Sequence, residues 1–177
     1  SGAAAVELMD FSALSTAKYL DDPPYDYRKI NPDNAALLFE YQKDDPIEID
    51  LVEKDANKQV IGLQGNLLQG MQRQTDHRNK LWKIRKGLYP SVGAIRKAGT
   101  SVITEDLCYN YRDLPEVVNE MRIIFERWRY DDAVIFGHAK DGNLHFVGSV
   151  DLNKPSGVKS FDGLINDLTD LTVGKFQ

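Results

Sequence analysis

The apolar positions of this chain follow two rhythms, one alternating and one helical, with proline and glycine at the breaks between them. Ala3 to Leu8 reads as a short strand, after which Asp10 or Ser12 caps a helix running to about Leu20. Asp22-Pro23-Pro24-Tyr25 ends that helix, because consecutive prolines cannot continue it. Past the turn Asn31-Pro32-Asp33-Asn34, Ala35 to Tyr41 makes a second apolar strand. Lys43 to Gly65 carries both signals, since IEIDLV alternates while the residues after it favour a helix. Strands and helices alternate on either side, so the expectation is a helix. Leu81, Ile84 and Leu88 share one face of a helix from Asp76 to about Leu88, with Thr75 as its cap. Thr100 to Tyr109 is rich in β-formers, and Asp113 to Trp128 is an amphipathic helix with Leu114, Val117, Val118, Met121, Ile124, Phe125 and Trp128 on its inner side. Two further strands, Ala133 to Gly137 and Asn143 to Val150, are joined by Ala139-Lys140-Asp141-Gly142. Lys154-Pro155-Ser156 then opens a last helix that buries Phe161, Leu164, Ile165, Leu168 and Leu171.

Hairpins and crossovers occur together in this order. It predicts an α+β fold, an antiparallel sheet covered by helices, rather than a doubly wound parallel one. No internal repeat, low-complexity tract or long linker divides the chain, so its 177 residues read as one domain. With 42% hydrophobic and 28% charged residues it is globular in composition. A net charge of −5 argues against gripping nucleic acid or an anionic membrane, both of which need clustered cations. No apolar run is long enough for a membrane span, and the first thirty residues lack the pattern of a signal peptide. Cys108 is the only cysteine, which rules out an internal disulfide and suits the cytoplasm.

Chemistry concentrates around two of the three histidines. His138 and His145 lie seven residues apart across the expected hairpin. If residues 139–142 form the loop, His138 stands opposite Asn143, and alternation brings Asn143 and His145 onto the face of His138. Diagonal neighbours of this kind can share a metal ion with bonds of roughly 2.0–2.1 Å. A third ligand, a carboxylate, would have to join them, and Glu105 and Asp106 are the in-chain candidates. The plainer alternative is two histidines engaged in packing or standing on the surface. Gly137 and Gly142 flank the loop and suit close backbone approach or positive φ. Arg85 shares a helix face with Trp82 and Tyr89 and is fit to hold a carboxylate bidentately. Its alternative reading is a solvated basic face made with Lys80, Lys83 and Lys86. His77 has no partner in sequence and reads as surface. The chain has no glycine-rich dinucleotide fingerprint, Walker loop, nucleophile elbow or CxxC pair, so a redox cofactor would have to be held from outside it.

GHAKDGNLHF, from Gly137 to Phe146, resembles the "GH, any two residues, GNLH" hairpin of the C-terminal domain of FAD-linked oxidases of the vanillyl-alcohol-oxidase type. That group includes D-lactate dehydrogenase, the glycolate oxidase flavin subunit and D-2-hydroxyglutarate dehydrogenase. Leu81 to Leu107 (LWKIRKGLYPSVGAIRKAGTSVITEDL) is similar to the family's "LW" helix and its "ED" strand, and Ala5 to Asp10 (AVELMD) to its entry into this domain. The resemblance covers most of the chain, Lys43 to Gly70 least.

It implies a ferredoxin-like α+β substrate domain that closes over a flavin, FAD, held by a separate FAD-binding domain of the same protein. It also implies oxidation of a D-2-hydroxy acid by hydride transfer to the flavin. His138 and His145 would bind a divalent metal, zinc for example, while Arg85 and Asn143 would contact the substrate. The family's third metal ligand and its base lie in a Glu-His-Gly motif that does not occur in the chain. The expectation is therefore a fragment without catalytic residues of its own, inactive alone. Val147 and Thr104 stand where hydroxyglutarate-type relatives carry Asn and Lys, which leaves the identity of the acid open. The rival reading is a freestanding ferredoxin-like ligand-binding or regulatory module, since this kind of sheet hosts many functions.

Overall fold

Five strands pair into one sheet in the order β2-β1-β4-β5-β3, every neighbouring pair antiparallel, in a computed structural model that describes residues 2–62 and 67–176. The strands are β1 (Ala5–Asp10), β2 (Ala35–Glu40), β3 (Ser101–Cys108), β4 (Val134–His138) and β5 (Asn143–Val150). The helices are α1 (Phe11–Ser15), α2 (Pro46–Gly62), α3 (Thr75–Ile95), α4 (Leu114–Trp128) and α5 (Pro155–Thr169). The expected α+β class is what the chain adopts. Its ferredoxin-like element is β3-α4-β4, a crossover between two parallel strands with β5 inserted antiparallel between them.

Alternation along each strand sends side chains to two cores, one on each face of the sheet. On the first face, Val6, Leu8, Ile103, Ile135, Leu144 and Phe146 pack against Val117, Met121, Ile124 and Phe125 of α4 and Leu164 and Leu168 of α5. On the second, Met9, Val134, Phe136 and Val147 meet Ala13 and Leu14 of α1 and Ile84, Leu88 and Val92 of α3. Each of the larger of these apolar side chains, the valines, leucines, isoleucines, methionines and phenylalanines, contributes about 1.5–3 kcal/mol of transfer free energy once buried. The second face is only partly covered, and the uncovered part holds the polar groups described below.

Several boundaries differ from the sequence expectation. β1 is shifted two residues later than Ala3 to Leu8, and Asp10 closes it while capping α1 by accepting the Ala13 amide at 2.7 Å. α1 is correspondingly short and passes into a 3₁₀ turn at Thr16–Tyr19 rather than running as one helix to Leu20. α3 does not stop at Leu88. It continues through Pro90 to Ile95, because Val92 extends the buried stripe of Ile84 and Leu88 by one more turn. The lost Pro90 N–H is tolerated there, and the Ser91 hydroxyl bonds the Gly87 carbonyl at 2.6 Å. The residue preceding α3 is Gln74, and Thr75 is already its first turn rather than its cap. The helix expected over Lys43 to Gly65 is α2, none of whose residues is buried; the end of that expectation lies outside the described residues.

Candidate functional site

The hairpin between β4 and β5 turns on a 3₁₀ loop, Ala139–Asp141, and its register sets His138 opposite Asn143 and Phe136 opposite His145. The two histidine rings meet edge to face, 5.4 Å between centroids, on the half-open second face of the sheet. Glycine is required twice in this turn. Gly142 sits at φ +72°, and a β-carbon there would overlap the Tyr109 carbonyl oxygen. The Tyr109 amide in turn donates to the Gly142 carbonyl at 2.9 Å, tying the loop to the end of β3. A β-carbon at Gly137 would strike the Asn143 backbone across the hairpin.

Each imidazole is backed by a carboxylate. His138 Nδ1 lies 2.8 Å from Glu7 Oε1, and His145 Nδ1 lies 3.5 Å from Asp106 Oδ1. Glu7 arrives from β1, where it pairs with His138 in register, and Asp106 from β3, where it pairs with His145. Of the two acidic candidates on β3, then, Asp106 shares the histidines' face, whereas Glu105 pairs with Phe146 on the opposite side. Asn143 donates its side-chain amide to Asp106 and so belongs to the same polar cluster. Burial holds the His145 pKa below the usual imidazole value; Asp106 opposes that shift, while Arg85 and His138 reinforce it.

Arg85 leaves the basic helix face suggested by its neighbours. Lys80 is half-buried and paired with Asp22, Lys83 and Lys86 are exposed, but the Arg85 side chain is only 11% exposed. Its Nε donates to Glu7 Oε2 at 2.7 Å, and its guanidinium lies 4.5 Å from the centroid of the Phe136 ring. The terminal amino groups of Arg85 make no hydrogen bond among the described residues. Trp82, Tyr89, Thr104 and Phe136 complete a shallow groove of about 420 Å³ into which Arg85, His138 and His145 all face. Thr104 lines this groove, while its cross-strand partner Val147 is fully buried in the second core. His77 lies elsewhere, in a smaller polar cleft beside Asp22 and Lys80.

For a metal ion the donors fit in part. A carboxylate on Nδ1 is the usual outer partner of a metal-bound histidine and leaves Nε2 as the ligand atom. Among the described residues, however, no three side chains from His, Cys, Asp and Glu are placed to hold one ion. Glu7 and Phe136 were not singled out from sequence. The signal for Glu7 is a carboxylate set between Val6 and Leu8, inside an apolar run that ends only at Asp10.

The family model described as "FAD linked oxidases, C-terminal domain" matches residues 1–175. The chain is 27% identical over 145 residues to the glycolate oxidase subunit GlcD of Bacillus subtilis (strain 168), an alignment covering 78% of this chain and 30% of that protein. The chain thus spans about a third of the length of that relative. A solved structure, 4-ethylphenol oxidase from Gulosibacter chungangensis in its isoeugenol complex, superposes with a TM-score of 0.51 at 11% identity. It covers 94% of this chain and 37% of the oxidase, a likeness of fold. Among the described residues no helix is long and apolar enough to cross a membrane.

Proposed function

Because the chain belongs to the C-terminal domain family of FAD-linked oxidases, we propose that the groove of Arg85, His138 and His145 is the substrate-facing surface of a flavin-dependent oxidoreductase acting on a D-2-hydroxy acid. The observation that carries this reading is the convergence on one groove of an arginine with uncommitted amino groups and two histidines backed by carboxylates. The amino groups of Arg85 receive the substrate carboxylate in a forked pair, with Phe136 and Glu7 fixing the plane of the guanidinium. His138 and His145 face the substrate hydroxyl. The depressed pKa of His145 keeps its ring neutral and able to accept that hydroxyl's hydrogen bond. Asn143 adds a polar contact at the mouth of the hairpin.

The flavin, FAD, held by a separate FAD-binding domain of the same protein, supplies the hydride acceptor. This chain contributes orientation and a largely apolar wall that carries a few convergent polar groups. Where a divalent metal such as zinc takes part, His138 and His145 are the residues that would hold it, and its remaining ligands would come from outside the described residues. The glycolate oxidase relative is consistent with a small 2-hydroxy acid as substrate.

Steady-state kinetics of the complete flavoprotein with an artificial electron acceptor test the reading. His145→Ala should leave flavin content unchanged and lower kcat/KM for the 2-hydroxy acid by at least about 100-fold, the lower end of what a positioned polar group contributes. Arg85→Ala should act largely through KM. Near-wild-type kcat/KM in both variants would overturn the assignment.

A further inference from the structure

Glu7 is a carboxylate with only 3% of its surface exposed, in the middle of a strand whose neighbours Val6, Leu8 and Met9 are buried and apolar. An ionised group in such a place is costly unless all its lone pairs are used. Both oxygens of Glu7 are used, and by different partners. Oε2 accepts from Arg85 Nε at 2.7 Å, and Oε1 meets His138 Nδ1 at 2.8 Å. The partners lie 78 and 131 positions away in sequence, on α3 and β4, and both open onto the same groove. The His138 contact is set by the sheet itself, since the two residues are register partners.

We propose that Glu7 is a positioning residue of the site, a single buried anion that fixes both the aim of the Arg85 guanidinium and the ring orientation of His138. This inference rests on the substrate-facing reading given above. Bonding at Nε leaves Arg85's two amino groups as the edge presented to the groove, which is the edge a carboxylate takes bidentately. Bonding at Nδ1 puts the His138 proton on the Glu7 side and turns Nε2 outward. Either effect alone would be ordinary support for one side chain. Shared by one carboxylate, they make carboxylate capture and hydroxyl contact interdependent: a change at Glu7 disturbs both at once.

The test is a double-mutant cycle in the complete flavoprotein, with Glu7→Gln, Arg85→Ala and the pair, read by kcat, KM and the Kd of the 2-oxo acid product from its perturbation of the flavin spectrum. Glu7→Gln keeps the size and removes the charge. It is expected to raise KM and product Kd and to lower kcat, with kcat/KM down about 10- to 100-fold, the range for outer partners of functional side chains. Its effect on KM and Kd should largely vanish in the Arg85→Ala background, because the group it aims is gone, while its effect on kcat through His138 persists. If Glu7→Gln loses flavin or fails to fold, Glu7→Asp, which keeps the anion but withdraws it by one methylene, is read through the same cycle with the same expectation. Fully additive effects, or wild-type constants in a flavin-loaded Glu7 variant, overturn the proposal while an Arg85→Ala defect leaves the substrate-facing reading standing. If Arg85→Ala and His145→Ala are themselves silent, the fault lies in that reading.

Discussion

The indole of Trp128, at the end of α4, occupies the place where a side chain at Gly163 would stand, so that α5 meets α4 at a residue with nothing beyond its Cα. Asp167, one turn further along α5, accepts the Trp128 indole N–H at 2.8 Å and pairs with Arg127 at 2.6 Å. Gly163→Ala should therefore destabilise the domain even though alanine is the better helix former. Overpacking costs about 1–3 kcal/mol against the roughly 1 kcal/mol regained from helix propensity. A net loss of about 1 kcal/mol corresponds to a Tm lower by roughly 2–4 °C. Calorimetry of the two proteins decides it; an unchanged or raised Tm would mean that the indole moves aside freely.

Asp10 gives the fold a pH dependence opposite to that of most carboxylates. Burial raises its pKa from 3.8 to about 6, against the opposing pull of the Ala13 amide and Arg122. A group whose folded pKa lies above its unfolded one stabilises the fold when protonated, so its contribution is greatest below the unfolded value and falls as pH rises toward 6. A shift of this size corresponds to about 3 kcal/mol. Asn at this position keeps the capping oxygen without the charge. Asp10→Asn should thus have the higher urea midpoint at pH 7.5, with the gap closing as the pH is lowered to 4. A variant weaker than wild type at pH 7.5 would show that the Arg122 pair outweighs the cost of burial.

Gly142→Ala should be among the most damaging single-methyl changes in the chain. Positive φ costs a non-glycine residue about 1–3 kcal/mol, and the added β-carbon meets a backbone carbonyl rather than a flexible side chain. Chemical denaturation should show a loss of at least about 2 kcal/mol. In the complete flavoprotein the same variant should weaken 2-oxo acid binding, since the turn spaces His138 from His145. Wild-type stability and affinity together would remove the turn from the argument.

The chain produced on its own should be colourless. Its sequence holds no glycine-rich fingerprint for a dinucleotide, and the family model it matches is that of the C-terminal domain of FAD-linked oxidases. Absorbance spectra of the purified domain incubated with excess FAD and desalted provide the check, and a retained stoichiometric flavin band would contradict it.

What was legible in the sequence follows from how local each determinant is. β5 was read to the residue, because alternation from Asn143 to Val150 is bounded by a glycine turn and by Asp151. The hairpin register, and with it the shared face of His138 and His145, followed from loop length alone. Pro90 is a strong local stop signal, and only the tertiary burial of Val92 carries α3 past Leu88 to Ile95. Which of Glu105 and Asp106 faces the histidines depended on the pairing of β3 with β5, a long-range fact. The bridging of Arg85 and His138 by Glu7 joins three distant segments, and no local pattern encodes it.

The β4-β5 hairpin is flanked by strands on both sides, with β1 against β4 and β3 against β5. Its histidines therefore ride on interior strands of the sheet rather than on an edge. A ligand entering the groove meets side chains already held by the interior of the molecule and gives up little freedom of the protein in binding. A ligand of this groove would then be selected by its fit to that wall.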